Sequence, residues 1–409
     1  MRRQIEGSAA IAEAVAACEP EVICAYPITP QTHIVEALGV MVRKGRLPRT
    51  RFVNVESEFG ALSVALGASA AGARSYTATA SQGLLFMAEA VYNTAGLGLP
   101  VVMTLANRAV GAPINIWNDH SDAMAVRDSG WLQLWAEDSQ AAVDLHIQAF
   151  RIAETLSLPV MVCVDGFLIT HALDSVELPE PDRVKKFLPP YVPRQSLDPD
   201  NPLSIGAMVG PDAFEEVRYL AHLRALAAPA VISEVSGAFQ AAFGRPGVQF
   251  VSGYRLEGAR TVIVAMGSVL GTLEDAVDEL REEGMAVGVV GLGVYRPFPS
   301  SQLAEALSGA DNVVVVDRAL APGQGGYLAP EVRATVGFSK RVVNVIAGLG
   351  GRPVLKRSII SLLRDVEQAR ADELVFLDLN RQAVASEEAD IRRLAVGRSR
   401  MEPVKEAAI

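Results

Sequence analysis

The feature that most constrains this chain is a rhythm in its first part. Short apolar runs, EVICAY, RFVNV, SYTATAS, PVVMTLA and PVMVCVDG, alternate with longer stretches of helical period. Those stretches include SEFGALSVALGASAAGA, QGLLFMAEAVYNTAG and DSQAAVDLHIQAFRIAETL. Apolar strands separated by helices pair in parallel and need cover on both faces. The rhythm therefore predicts an α/β fold, a parallel sheet flanked by helices. Ahead of it, MRRQIEGSAAIAEAVAACEP is punctuated by Glu6, Glu13 and Glu19. It reads as a capped helix and not as a signal peptide.

The rhythm breaks over 174–255. LPEPDRVKKFLPPYVPRQSLDPDNP is rich in proline and charge. Proline fixes the backbone and removes donors, so an extended connector is expected, followed by a helix in PDAFEEVRYLAHLRALAA. A second α/β pattern then opens. ARTVIVAMGS, AVGVVGLGVYRPFP, DNVVVVD and RVVNVIAGLGG are strands. VLGTLEDAVDELREEG is an amphipathic helix that Gly284 stops, and SSQLAEALSGA is another helix. The predicted organisation is a first domain at 1–178, a connector with a helical segment at 179–255, a second domain at 256–385 and a charged tail at 386–409. The tail is short of apolar residues and reads as a surface helix or arm.

Composition excludes several classes. The formal net charge of -10 repels phosphate backbones, so no nucleic-acid partner is expected. The three cysteines, Cys18, Cys24 and Cys163, have apolar neighbours and form no CxxC pair. They read as small buried hydrophobes in a reducing cytoplasm, not as disulfides or cluster ligands. No apolar run reaches the roughly 18 residues of a membrane span, so no membrane partner is expected.

Three stretches could carry chemistry. In AYPITPQTH, a strand runs into a turn stiffened by Pro27 and Pro30. Ligands bind at the carboxyl edge of open α/β sheets, and rigid placement there would let Thr29 donate a preset hydrogen bond. Thr29 could equally cap the following helix. In NVESEFGALSVALGASAAGA, Glu58 stands at a helix start, where acids are favoured, or is pressed into a tightly packed interface. Arg108, after PVVMTL, suits a small carboxylate or an ordinary ion pair. The run Asn118, Asp119, His120, Asp122 matches no metal-ligand spacing and reads as a polar loop. GLGVYR lacks the third glycine of a dinucleotide fingerprint, and PGQGGYLAP does not open a helix cleanly after a strand.

Together, AYPITPQTHIVEAL, VESEFGALSVALGASAAGAR, TATASQGLLFMAEAVYNTAGLGLPVVM, ANRAVGAPINIWNDHSDAMAVRDSGW and LPVMVCVDGFLITH resemble the alpha subunit of pyruvate:ferredoxin oxidoreductase. VIVAMGS, VYRPFPSSQL and AGLGGR are similar to that subunit's second domain. The resemblance implies a pyrimidine-side thiamine-diphosphate-binding domain followed by a transketolase C-terminal-like domain. It implies oxidative decarboxylation of a 2-oxoacid to an acyl-CoA, with electrons passed to ferredoxin. It assigns Glu58 to the aminopyrimidine ring, where the carboxylate exchanges a proton, Thr29 and Arg108 to substrate, and Pro27 and Ile28 to the neighbourhood of the cofactor.

This sequence has no GDG stretch for a diphosphate and its magnesium ion. The resemblance therefore implies a beta subunit that carries GDG and the cysteines, with Mg2+ and [4Fe-4S] clusters on partners. Gamma and ferredoxin-like delta subunits, ferredoxin and coenzyme A complete the expected set. Relatives acting on 3-methyl-2-oxobutanoate or 2-oxoglutarate share the scaffold. A non-catalytic stabilising subunit is the alternative from another class, and Glu58, Thr29 and Arg108 all being present speaks against it.

Overall fold

The computed structural model describes residues 2–399. Two sheets carry the molecule. The first has seven strands in the order Val294–Arg296, Leu132–Trp135, Val160–Asp165, Val101–Asn107, Ser75–Thr79, Val22–Cys24 and Arg51–Val53. All neighbours pair in parallel except Val294–Arg296 with Leu132–Trp135. The second has six, ordered Leu374–Phe376, Arg341–Ile346, Asn312–Asp317, Thr261–Ala265, Val287–Leu292 and Val251–Tyr254, with only the last antiparallel.

The central strands are buried along their whole length, as parallel strands covered by helices must be. Helix Ser139–Leu156 starts at Asp138, whose side chain accepts from the Ala141 N–H at 2.7 Å. Helix Glu58–Ala70 starts at Ser57, whose hydroxyl accepts from the Gly60 N–H at 3.1 Å.

Four expectations need correction. The N-terminus opens as strand Arg2–Glu6, paired antiparallel with Leu173–Glu177, before helix Gly7–Ala17 begins. Its partner lies far along the chain, so no local pattern shows it. The stretch 174–255 is only partly extended. Besides the expected helix, which runs for 33 residues over Pro211–Phe243, it holds helix Pro181–Phe187 and the edge strand Val251–Tyr254 of the second sheet.

That 33-residue helix is long and apolar enough, by length and composition, to cross a membrane, although the sequence reading found no such run. Its second half packs into the core through Ile232, Val235 and Phe239. Phe214, Tyr219, Leu220 and Leu226 of its first half are exposed.

PGQGGYLAP, lastly, does open a helix, Leu328–Val336. Asp317, at the end of its strand, accepts from the N–H groups of Tyr327, Leu328 and Ala329 at 2.7–3.1 Å. A Cβ on Gly326 would lie 1.8 Å from Asp317 Oδ2, so only glycine lets the backbone come that close.

The two sheets share a core. Met103, Leu105 and Trp135 of the first side belong to one apolar cluster with Val264, Leu292 and Val313 of the second. Strand Val294–Arg296, reached directly from the second sheet, finishes the edge of the first. Helix Arg381–Ser399 carries the described part of the charged tail, and residues 400–409 lie outside the described residues.

Candidate active site

The loops after five parallel strands gather at one sheet edge. Strand order reverses between Val22–Cys24 and Ser75–Thr79, and such switch points leave a crevice at the carboxyl ends. Gln31 pins the AYPITP turn across that crevice. Its Nε2 donates to the carbonyl of Tyr26 at 2.8 Å and to that of Ala78 at 2.9 Å. The turn thus presents Pro27 and Thr29 exposed and Ile28 half-buried. Thr29 does not cap helix Thr32–Arg43, whose N-cap is Gln31 with no side-chain bond. Among the described residues no hydrogen bond engages its hydroxyl.

Glu58 begins the helix after Arg51–Val53 and is 8 % exposed. Among the described residues, no ion pair or hydrogen bond engages its carboxylate. Gly83, just after strand Ser75–Thr79, sits against it. A Cβ there would lie 2.8 Å from Glu58 Oε1 and 2.6 Å from Thr79 Oγ1. Thr79 Oγ1 is itself buried without a partner. A carboxylate enclosed on one side by its own chain, and given no donor there, is open to a donor from outside.

Arg108 is 7 % exposed. Its Nη1 donates to the Thr29 carbonyl at 2.9 Å and its Nε to the Asn115 carbonyl at 3.1 Å. It forms no carboxylate ion pair among the described residues, so the ordinary-ion-pair reading does not describe it. Burial lowers its pKa, and the Asp122 charge opposes that.

The structure thus joins Thr29 and Arg108 directly. Glu58 lies on the loop of the adjacent strand, beside Gly83. Around these three, Tyr26, Phe59, Leu85, Phe86, Ile114 and Trp117 are exposed.

Sequence reasoning missed the residues that hold this edge in shape. Asp122 is fully buried and accepts from Ser81 N, Arg108 N, Ala123 N and Asn107 Nδ2 at 2.8–3.0 Å. Burial pushes its carboxyl up to about 6 against those four bonds. Ser81 takes a left-handed backbone, φ 49°, to reach it.

The run Asn118, Asp119, His120, Asp122 is polar, as expected, and all four residues are buried. His120 Nε2 lies 2.7 Å from Asp165 Oδ1. Asp165 Oδ2 accepts from Arg318 Nη1 at 2.7 Å and from the Ser268 N–H at 2.9 Å, both in the second domain. Asn115 Nδ2 donates to the Gly350 carbonyl at 3.2 Å, and the Gly351 N–H to that of Asn118 at 2.7 Å. The APINIWNDHSD loop is thus docked on the AGLGGR loop. Only spacing between distant strand ends could have signalled this.

A cavity of about 270 Å³ lies elsewhere, lined by Glu137, Gln148, Arg245 and Ser252 among others, and includes none of the candidate residues. The three cysteines are buried, and burial raises the Cys24 thiol to about 11.

Family profiles match on both halves. Residues 13–237 match the thiamine-diphosphate-binding domain of pyruvate flavodoxin/ferredoxin oxidoreductase, and 259–359 match core domain II of pyruvate:ferredoxin oxidoreductase. The chain belongs to the pyruvate:ferredoxin oxidoreductase family. It is 45 % identical over 388 residues to "Pyruvate synthase subunit PorA" of Methanosarcina barkeri, covering 92 % of this chain and 96 % of that one. It is 36 % identical over 372 residues to "Ketoisovalerate oxidoreductase subunit VorA" of Pyrococcus abyssi, covering 90 % and 94 %. A solved 2-oxoglutarate:ferredoxin oxidoreductase from Magnetococcus marinus shares the fold at a TM-score of 0.68 and 19 % identity. That match covers 89 % of this chain and 65 % of the other, so this chain spans about two thirds of that structure's length. A split-gene transketolase shares the fold at 0.51 and 15 % identity, over 90 % of this chain and 99 % of that one. The expected α/β architecture of a thiamine-diphosphate-binding domain followed by a transketolase-like domain is therefore the fold of this family member.

Proposed function

We propose that this chain is the alpha-type subunit of a pyruvate:ferredoxin oxidoreductase. The complex would convert pyruvate and coenzyme A to acetyl-CoA and carbon dioxide, in either direction, and pass electrons to ferredoxin. The observation that carries the reading is Glu58, an enclosed carboxylate without a partner among the described residues, against a glycine that leaves its oxygen uncovered. That arrangement fits the aminopyrimidine of thiamine diphosphate, whose nitrogens offer the missing hydrogen-bonding groups. Bound there, the cofactor supplies the electron sink that decarboxylation of a 2-oxoacid requires.

The work of this chain is holding and proton transfer. Glu58 would hold or pass a proton at a ring nitrogen of the bound cofactor. Arg108 spends Nε and one Nη1 bond on backbone carbonyls, which fixes the guanidinium and leaves Nη2 donors for a substrate carboxylate. Thr29, locked to Arg108 through its carbonyl, offers its hydroxyl to a second substrate oxygen. Pro27 and Ile28 shape the turn beside the cofactor.

The exposed apolar side chains around this edge suit cover by another polypeptide. We assign that place to a beta subunit with the diphosphate-binding GDG motif, Mg2+ and cluster-ligating cysteines. Gamma and delta subunits, and a cytoplasmic location, belong to the same proposal. Relatives named for pyruvate reach higher identity than the one named for ketoisovalerate, which favours pyruvate over 3-methyl-2-oxobutanoate.

The test is anaerobic purification of the chain with its companions. Ferredoxin reduction is then followed with pyruvate and with 3-methyl-2-oxobutanoate. Faster turnover of pyruvate, dependent on added thiamine diphosphate, is expected. Turnover that is indifferent to removal of the cofactor would overturn the assignment.

A further inference from the structure

A second group of chemistry-bearing side chains meets on the other side of the AYPITP turn. Glu6 ends the N-terminal strand, His33 lies in the first turn of helix Thr32–Arg43, and His171 follows strand Val160–Asp165. His33 Nδ1 stands 2.6 Å from Glu6 Oε1, and the two imidazole rings are 4.7 Å apart. One ligand atom from each of the three residues lies within 4.8 Å of the others. Three segments remote in sequence have been brought to one point, each offering a nitrogen or oxygen donor.

The details favour a metal over a plain ion pair. An ion pair with Glu6 accounts for His33 but not for His171 packed beside it. His171 Nδ1 lies 2.7 Å from Thr170 Oγ1, a hydroxyl that the Phe167 N–H also engages at 2.8 Å. In the tautomer whose Nδ1–H donates to that hydroxyl, Nε2 keeps its lone pair. Such an outer partner is the usual way a ligating histidine is oriented.

We propose that Glu6, His33 and His171 bind one divalent first-row transition-metal ion, with water completing the coordination. Two imidazoles and a carboxylate suit zinc and its neighbours better than magnesium or calcium. Zinc–ligand bonds of about 2.0–2.1 Å place tetrahedral ligand atoms about 3.3 Å apart. Glu6 and His33 must therefore part slightly while His171 closes in. The side chains of His33 and Glu6 are 51 % and 32 % exposed, which leaves them room to turn. A bound ion would tie the N-terminal strand to the helix that follows Thr29. Phe167 packs at a tilt against His171 at 4.6 Å and against Trp117 at 4.6 Å, so the tie would extend to the loop whose Asn115 carbonyl holds Arg108.

The test uses the full chain without a histidine tag, stripped with chelator and titrated with zinc alone by calorimetry. Cobalt substitution is followed in the visible spectrum. One ion per chain is expected, with a higher midpoint of thermal unfolding when zinc is present. His33→Gln and His171→Gln should each weaken binding by more than about tenfold, the least that losing an outer partner costs. They should also cancel the thermal shift, while His222→Gln on the long helix changes neither. Circular dichroism checks that the variants fold, and Glu6→Gln provides a third variant at a partly exposed site. No zinc uptake by the unaltered chain, or uptake unchanged in the doubly substituted His33→Gln/His171→Gln chain, would overturn the proposal.

Discussion

Two buried carboxylates at strand ends define two contrasting regions. Asp165 lies between the domains and is fully enclosed, with Arg318, His120 and Ser268 around it. Glu58 lies at the open edge of the first sheet, nearly as buried, with no partner among the described residues. Enclosing a carboxylate costs free energy unless a donor meets it. At Asp165 this chain meets it from its own side chains. At Glu58 it does not, and the carboxylate is left open to a donor from outside. The seam between the domains is complete within one polypeptide, and the edge around Glu58 is half of something.

That contrast can be broken by substitution. Glu58→Ala in the assembled complex should cut 2-oxoacid-dependent ferredoxin reduction by about 10²–10⁴-fold, the scale of a lost general acid–base group. Its unfolding midpoint should not fall, because no internal bond is lost. A clear loss of stability with normal turnover would place Glu58 on the wrong side of the comparison.

Asp165→Ala should behave in the opposite way. Leaving Arg318 buried and unpaired should remove about 3–5 kcal/mol of stability, read by denaturant unfolding. The same residue gives a pH test. Burial raises the Asp165 carboxyl, but Arg318, His120 and Ser268 hold it below the usual carboxylate range. A group depressed in the folded state stabilises above its unfolded pKa, about 4, and that contribution fades as pH falls further. Asp165→Asn should therefore flatten the acid limb of the stability curve.

Arg108→Ala should cost about 1.5–3 kcal/mol in kcat/KM for the 2-oxoacid, chiefly as weaker substrate dependence. An unchanged pyruvate dependence would return Arg108 to a purely structural role. Gly83→Ala is the mildest. Its methyl must displace Glu58 Oε1 or Thr79 Oγ1, at about 1–3 kcal/mol, and should lower affinity for thiamine diphosphate more than it lowers stability.

Much of this was legible in the sequence. The alternation of apolar runs and helical stretches located Val101–Asn107, Val160–Asp165 and Asn312–Asp317, because local period alone determines them. Arg108 and Thr29 were legible as edge residues because both follow strands. What escaped depends on contacts between distant positions. RRQIE is a strand only because Leu173–Glu177 lies beside it. LQLW is too short to declare itself and is held between Val160–Asp165 and Val294–Arg296. His120 and Asp122 sit in a run of polar letters, and nothing nearby shows that Asp165 or Ser81 will enclose them.

The strand Val294–Arg296 has a consequence for how such a protein can be made. As the chain leaves the ribosome, Leu132–Trp135 emerges long before the segment that will cover it. For that interval the nascent first sheet has a bare side able to pair with any neighbouring chain. A gene cut between the two sheets would make that interval permanent, so the halves are better inherited, expressed and engineered as one reading frame.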